Sequence, residues 1–300
     1  MDYTKTEEKI MFGEIEEIED IIEKRFKKYK NFARIPTHLL NQNHHFIHHK
    51  TININPKSEL AERIHKEWEI LEKNLPSSIF VRASAERIDL MRAVIIGLEG
   101  TPYCHGLFFF DIFFPTTYPV TPPLIFYHSY GFDLNPNLHR DGQVSLDLLT
   151  INVSHSWWNC KRDSDEKQQW NPQESNIMQV LVSIQHKVLN ANPYYCHKGH
   201  PQKSNKEVFR LNCQAMLVML QPHMQFKQPH MQFKHLVQGH FRNRAHQILQ
   251  IYKAEMKPDD DEEMNQLFIK LLNAFEDNGA YCGHYYPKAL KERRSISNHR

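Results

Sequence analysis

Apolar residues recur at the three- and four-residue spacing of an amphipathic helix in six stretches of the chain. The first falls within residues 8–30, where acidic residues come early and basic residues late, an order that suits the helix dipole. The second covers residues 58–74 and is ended by Pro76. The other four lie within residues 177–188, 204–218, 241–252 and 264–275. The pattern therefore predicts helices on both sides of a central region that is patterned differently.

In that central region, short runs of branched and aromatic residues alternate with Gly or Pro turns, which is typical of β-strands. The runs cover residues 79–82, 90–97, 107–114 and 124–128. Because the connections are short, we expect a four-stranded antiparallel meander. The polar segment before the second helix shows no period, so we predict a flexible linker there. It contains the histidine-rich residues 44–49, for which weak metal binding is the alternative to a solvated linker.

These elements predict an α+β fold and divide the chain into three parts. Residues 1–57 hold the N-terminal helix and the linker, residues 58–221 form the core, and residues 222–300 form a helical C-terminal extension. The first helix has an apolar face, which either packs on the core or binds a partner helix. The extension begins with a repeat, because residues 222–228 recur almost unchanged as residues 229–235. Two copies are too few for a solenoid, so we interpret them as a duplication in an exposed connector.

Composition narrows the classes of partner. The 37 Lys and Arg residues nearly balance the 35 Asp and Glu residues, and a net charge of +2 favours neither nucleic acid nor a membrane as the main partner. We expect neither a signal peptide nor a membrane span, because no run of about 18 apolar residues occurs. The five cysteines are scattered singly, which predicts reduced thiols and a cytoplasmic or nuclear protein.

An ordered set of motifs carries a family resemblance. Residues 134–149 contain Asn135-Pro136-Asn137, then Gly142, then Val144-Ser145-Leu146. The motifs around this signature are Trp68-Glu69-Ile70-Leu71, Gly106-Leu107-Phe108-Phe109-Phe110-Asp111, residues 114–123 and Trp170-Asn171-Pro172. Over residues 58–221 the set resembles the ubiquitin-conjugating enzymes and implies their core fold. Leu-Asn-Pro-Asn in place of His-Pro-Asn, together with residues 189–194 and 239–242, resembles the large, extended branch of that family.

The resemblance implies a shallow active-site groove and three partners, namely ubiquitin, the ubiquitin-activating enzyme and a ubiquitin ligase. It implies no bound cofactor, since ATP is used only by the activating enzyme. The family holds ubiquitin as a thioester on a cysteine, and Ser145 occupies that position here. Asn137 matches the family asparagine that supports the oxyanion or orders the active-site loop. The family's partner-binding loop corresponds to Pro119, Val120, Pro122 and Pro123, whose prolines also stiffen the turn.

Serine changes the chemistry expected at this position. A cysteine thiol has an ordinary pKa of about 8.5 and forms a thioester that is reactive toward amines. A serine hydroxyl needs a strong local base, and an oxygen ester is less reactive toward lysine. His139 and Asp147 are the nearest candidate bases along the chain, but closeness in sequence does not show that either side chain points toward Ser145.

Three hypotheses follow from this substitution. The leading one is a non-catalytic or regulatory member of the family, a pseudoenzyme. The second is an active carrier that uses Cys160 or an ester on Ser145, since basic neighbours could lower the pKa of Cys160. The third is a decayed gene copy. We predict no metal site, because Cys196, His197, His200 and Cys213 match no standard zinc spacing.

Overall fold

The computed structural model describes residues 20–40, 43–49, 54–150, 169–194, 203–221, 231–256 and 262–286. Its first half contains α1 (Ile21–Lys27), β1 (Phe32–Ile35), α2 (Thr37–Leu40), α3 (Glu59–Asn74), β2 (Ile79–Ser84), β3 (Leu90–Ile96), β4 (Leu107–Phe113) and β5 (Leu124–Tyr127). Its second half contains α4 (Ile177–Ser183), which continues as a π-helical turn (Ile184–Val188), then α5 (Asn205–Leu220), α6 (Lys234–Glu255) and α7 (Glu262–Asp277). Short 3-10 turns cover Asp147–Leu149, Met231–Phe233 and Gly283–Tyr285. The predicted α+β fold with a helical extension is confirmed.

The sheet has five strands in the order β1-β2-β3-β4-β5. Strands β2 to β5 form the predicted antiparallel meander, whereas β1 is parallel to β2. The expectation of four strands was wrong because β1 has only four residues and carries no alternating pattern. Backbone hydrogen bonds define its place, since the N–H of Val81 donates to the carbonyl of Asn31 (2.6 Å) and that of Ala85 to Ile35 (2.9 Å).

The N-terminal segment covers one face of the sheet, where we predicted a flexible linker. On that face Phe113 stacks on Phe46, with ring centroids 5.8 Å apart, and Phe80 lies 5.9 Å from the ring of Tyr29. All residues of β2 and β4 are buried, as expected when both faces of a sheet are covered. The linker prediction failed because the segment is held by contacts with distant residues, which leave no local period.

A buried ion pair explains how the histidine-rich segment binds to this face. Arg92 and Asp111 lie directly opposite each other on β3 and β4 and form a fully buried ion pair. Asp111 also accepts hydrogen bonds from the backbone N–H of His45 and from Nε2 of His128, each 2.8 Å long. Nε2 of His44 contacts the carbonyl of Met91 at 2.9 Å. These histidines are therefore part of the packed structure, and the described residues include no group of three or more potential metal ligands.

Two residues of the second copy of the repeat, Gln232 and Phe233, also pack on this face. Phe233 is fully buried, lies edge-on to Phe109 with centroids 5.9 Å apart, and has the guanidinium of Arg82 5.2 Å from its ring. Oε1 of Gln232 accepts a hydrogen bond from Arg92 (3.0 Å). The expectation of an exposed connector was therefore wrong for Gln232 and Phe233, and residues 222–230 lie outside the described residues. Tertiary packing rather than local sequence buries Phe233.

Residues 239–242 dock α1 onto α6. Gly239 leaves room for Phe26, because a Cβ on Gly239 would lie 2.4 Å from Cγ of that ring. Asp20 caps α1 by accepting a hydrogen bond from the N–H of Ile22 (2.9 Å), and it forms an ion pair with Arg242. The described part of the first predicted helix thus packs on the protein itself; residues 8–19 lie outside the described residues. Among the described helices, none is long and apolar enough to cross a membrane.

Candidate functional site

A tight hairpin presents Ser145. Its arms pair at Leu138 and Val144, and the N–H of Ser145 donates to the carbonyl of Asn137 (2.8 Å). The N–H of His139 donates to Gln143 (2.9 Å), and the turn closes through a 2.9 Å bond from the N–H of Gly142 to the carbonyl of His139. Gly142 has φ +94° and packs so closely on Phe126 that a Cβ would lie 2.0 Å from the ring. Both features require glycine.

The hairpin brings His139 onto Ser145. Side chains alternate between the two faces of paired extended segments, so residues next to the Leu138–Val144 pair share the opposite face. His139 and Ser145 are diagonal neighbours on that face, a separation that a long side chain spans. Nε2 of His139 lies 2.9 Å from Oγ of Ser145, and both side chains are partly buried. A serine hydroxyl thus has a possible proton acceptor in hydrogen-bond contact.

Sequence reasoning named His139 as one of two neighbours but did not predict this contact. The missed signal is Asp141-Gly142, a dipeptide typical of tight hairpins, between Leu138 and Val144. Reading it as a turn would have paired the two arms and placed His139 diagonally to Ser145. Asp147 is the other candidate and lies in the 3-10 turn that follows. Among the described residues, no hydrogen bond joins its carboxylate to Ser145 or His139.

Asn135 anchors the hairpin to the core. Its side chain is fully buried, with Nδ2 donating to Oη of Tyr103 (2.7 Å) and to the carbonyl of Val188 (2.8 Å). Its Oδ1 accepts a hydrogen bond from the N–H of Asn137 (2.7 Å). Asn137 therefore contributes to the hairpin through its backbone on both sides, and the role of its side-chain amide toward an oxyanion stays a prediction.

The proline-rich loop lies between β4 and β5. Its peptide bond between Tyr118 and Pro119 is cis, and the carbonyl of Pro119 accepts a 2.6 Å hydrogen bond from Nε1 of Trp170. Pro119 and Pro122 are partly buried and Pro123 is buried, whereas Val120 is 66% exposed. The prolines therefore shape the loop while Val120 presents an apolar surface to solvent, which suits the binding role predicted for this loop without testing it.

A family model matches this chain over the region that forms strands β2 to β5 and the hairpin. The family model described as "Ubiquitin-conjugating enzyme" matches residues 63–216, which is more than half of the 300 residues. The chain belongs to the ubiquitin-conjugating enzyme family. Ubiquitin-conjugating enzyme E2 38 of Arabidopsis thaliana is 39% identical over 238 residues, covering 75% of this chain and 68% of that protein.

Further relatives from Arabidopsis thaliana differ in the length they share. The ubiquitin-conjugating enzyme E2 25 is 40% identical over 224 residues, covering 70% of this chain, and E2 39 is 53% identical over 145 residues, covering 48%. The chain spans only 34% of the length of E2 25 and 42% of E2 39. This chain therefore corresponds to only part of each of these two relatives.

The described cysteines of this family member are poor nucleophiles. Cys104, Cys213 and Cys282 are free thiols and all are buried. Burial raises the pKa of Cys104 and of Cys282 to about 11, and it raises the pKa of Cys213 further. Little thiolate is therefore present on any of them near neutrality. Cys160 lies outside the described residues, as do Cys196, His197 and His200 of the zinc alternative.

Proposed function

We propose that this protein acts in the ubiquitin transfer pathway as a family member that does not carry ubiquitin as a thioester. In this proposal Ser145 stands at the position of the thioester cysteine, and the protein serves a regulatory role instead of relaying ubiquitin to lysines. The observation that carries the proposal is the hairpin that holds Ser145. Backbone pairing to Asn137 and the anchor on Asn135 order this hairpin, so a defined frame holds the hydroxyl of Ser145.

Chemistry supports the loss of thioester transfer. A carrier must accept an acyl group and then release it readily to a lysine amine, and a thioester does both better than an oxygen ester. The three described thiols cannot substitute, because burial raises their pKa and keeps them from the surface. Carriage through Cys160 is the alternative that the experiment below distinguishes.

The family supplies the expected partners. We propose contacts with ubiquitin, the ubiquitin-activating enzyme and a ubiquitin ligase, with Val120 and the neighbouring prolines as the contact loop. A regulatory member that binds these proteins without relaying ubiquitin would compete with active carriers. We propose that it needs no bound cofactor and works in the cytosol or nucleus, where the singly placed cysteines would stay reduced.

A charging assay tests the thioester part of the proposal. The full chain is incubated with activating enzyme, ATP and ubiquitin, and the products are separated with and without a thiol reductant. We expect no reductant-sensitive adduct on the parent chain and a clear one on the Ser145→Cys variant. A reductant-sensitive adduct on the parent chain contradicts the proposal, and its loss in a Cys160→Ala variant would assign it to that residue.

A competition assay tests the binding role. An excess of parent chain is expected to slow charging of the Ser145→Cys variant, because both would bind the same site on the activating enzyme. A Val120→Asp substitution in the competitor is expected to weaken this inhibition by placing a charge in the contact loop. The matched control is Tyr281→Asp, which alters a side chain that is 85% exposed in the segment after α7. Equal inhibition by all competitors contradicts a role for the loop.

A further inference from the structure

We propose that His139 and Ser145 form a catalytic pair that accepts an acyl group from a thioester and holds it as an oxygen ester. The substrate class is the C-terminal thioester of ubiquitin on the activating enzyme. This inference rests on the proposed function and deepens it, because it assigns a covalent outcome to a site that carries no thioester. Of the two candidate bases in the sequence, the geometry selects His139.

The backbone positions the pair before any substrate arrives. His139 is fixed by two backbone hydrogen bonds, one from its own N–H to Gln143 and one from the N–H of Gly142 to its carbonyl, both 2.9 Å. Ser145 is fixed by its 2.8 Å bond to Asn137 on the opposite arm. The Oγ to Nε2 distance of 2.9 Å lies within the range at which a general base takes a proton from a nucleophile.

The reaction balances without a further reactant. In the tautomer that carries its proton on Nδ1, the imidazole of His139 accepts the hydroxyl hydrogen at Nε2. Oγ of Ser145 attacks the thioester carbonyl carbon while that hydrogen moves to Nε2. The new C–O bond forms, the C–S bond breaks, and the departing thiolate takes a proton back from the imidazolium. The products are the ester, a free thiol on the activating enzyme and neutral His139.

Ester formation makes the protein a trap rather than a relay. An oxygen ester is less reactive toward amines than a thioester, so an acyl group that reaches Ser145 is released slowly to lysine. The adduct would occupy one ubiquitin for each molecule of the protein. This outcome agrees with the regulatory role, since trapping ubiquitin and competing with active carriers would each reduce productive transfer of ubiquitin.

The test uses the full chain in the charging assay, followed by treatment with either thiol reductant or hydroxide. We expect an adduct that resists reductant, is cleaved by hydroxide and disappears in Ser145→Ala. His139→Gln is expected to slow its formation by about 100-fold or more, the usual contribution of a general base. The matched control is His186→Gln, which changes an exposed histidine on the π-helical turn and should leave the rate unchanged.

A second background separates catalysis from structure. In Ser145→Cys the thiol ionises with little help, so adding His139→Gln should reduce thioester formation only slightly. An equal loss in the serine and cysteine backgrounds would overturn the catalytic role and leave His139 as a structural residue. Loss of folding would appear in both backgrounds and in the circular dichroism spectrum.

The outcomes for the inference and for the proposed function differ. If Ser145→Cys becomes charged but the parent chain forms no hydroxide-sensitive adduct, the inference fails and the proposed function stands. If the parent chain forms a reductant-sensitive adduct, the proposed function fails. If neither chain forms any adduct and the parent chain does not compete, both fail, because the protein does not meet the activating enzyme.

Discussion

The contact between Ser145 and His139 depends on residues that take no part in chemistry. Gly142 allows the turn to close against Phe126, and Asn135 ties the base of the hairpin to the core. A side-chain pair on a two-armed loop keeps its distance only while the arms keep their register. Substitutions at Asn135 and Gly142 should therefore affect both the stability of the fold and the reactivity of Ser145.

Asn135→Ala is expected to lower the free energy of unfolding by about 2–4 kcal/mol, because it leaves the carbonyl of Val188 and the N–H of Asn137 without their buried partner. Urea denaturation measures the loss. Asn74→Ala is the control, since Asn74 is an exposed residue whose amide bonds only to the preceding turn of α3. Similar losses for the two variants would contradict an anchoring role for Asn135.

Gly142→Ala is expected to lower the free energy of unfolding by about 2–4 kcal/mol, because the left-handed backbone and the contact with Phe126 both disfavour a Cβ atom. Gly100→Ala separates the two effects. Gly100 has φ +78°, but no atom lies within 4 Å of the position of a Cβ. Gly100→Ala should therefore lower the free energy of unfolding by only about 1 kcal/mol. In the Ser145→Cys background, Gly142→Ala should also reduce charging, whereas Gly100→Ala should not. Equal stability losses would mean that the Phe126 contact is unimportant.

The elements with a strong period were predictable from sequence. Helix α3 and strands β2 to β5 lie close to their predicted bounds, and Ser204 caps α5 by accepting a hydrogen bond from the N–H of Glu207 (3.2 Å). Strand β1 and the packed turn at residues 43–49 were missed because long-range contacts define them. At the site, Ser145 was identified from its motif, but the His139 contact required the hairpin register. Sequence patterns thus reveal elements that are locally determined and miss those that tertiary contacts create.

The contact between α1 and α6 can be tested with one substitution whose effect on stability should change sign between two backgrounds. Gly239→Ala improves the helix propensity of α6 by up to about 1 kcal/mol, but its Cβ would collide with Phe26. In the parent chain we expect a net loss of about 1–3 kcal/mol from this overpacking. In a Phe26→Ala background the same change should stabilise the protein. Thermal unfolding of the four chains measures the cycle, and a loss of equal size in both backgrounds would rule out this contact as the cause.

In the molecule as a whole, two segments that are distant in sequence cover the same face of the sheet. Residues 43–49 and residues 232–233 meet on the face that carries Arg92 and Asp111, so distant parts of the sequence bury the same ion pair. Burial alone would raise the pKa of Asp111, but the charge of Arg92 and the hydrogen bond from His128 outweigh it and hold that pKa well below its usual range. The contribution of Asp111 to stability is therefore present above about pH 4 and is lost only in stronger acid.

Two buried histidines make the fold sensitive to milder acid. Burial lowers the pKa of His44 to about 4, although Asp111 opposes the shift, and burial likewise lowers the pKa of His240 to about 4. Nε2 of His44 contacts the carbonyl of Met91, and that of His240 contacts the carbonyl of His105, both at 2.9 Å, so each neutral ring can donate a hydrogen bond. These histidines take up a proton near pH 6.5 in the unfolded chain, whereas in the folded protein they stay neutral until about pH 4.

Stability should therefore fall as the pH drops from 6.5 toward 4, because the unfolded state binds more protons in that window. Protonation linked to each histidine is expected to lower the free energy of unfolding by about 2 kcal/mol between pH 7 and pH 5. Urea denaturation across this range measures the slope. His44→Gln and His240→Gln keep a hydrogen-bond donor for the carbonyl but remove the titrating group. Each variant should therefore reduce the slope of unfolding free energy against pH by the equivalent of about one bound proton, and the double variant by about two. The prediction fails if the slope of the double variant matches that of the parent chain, since other groups would then cause the acid sensitivity.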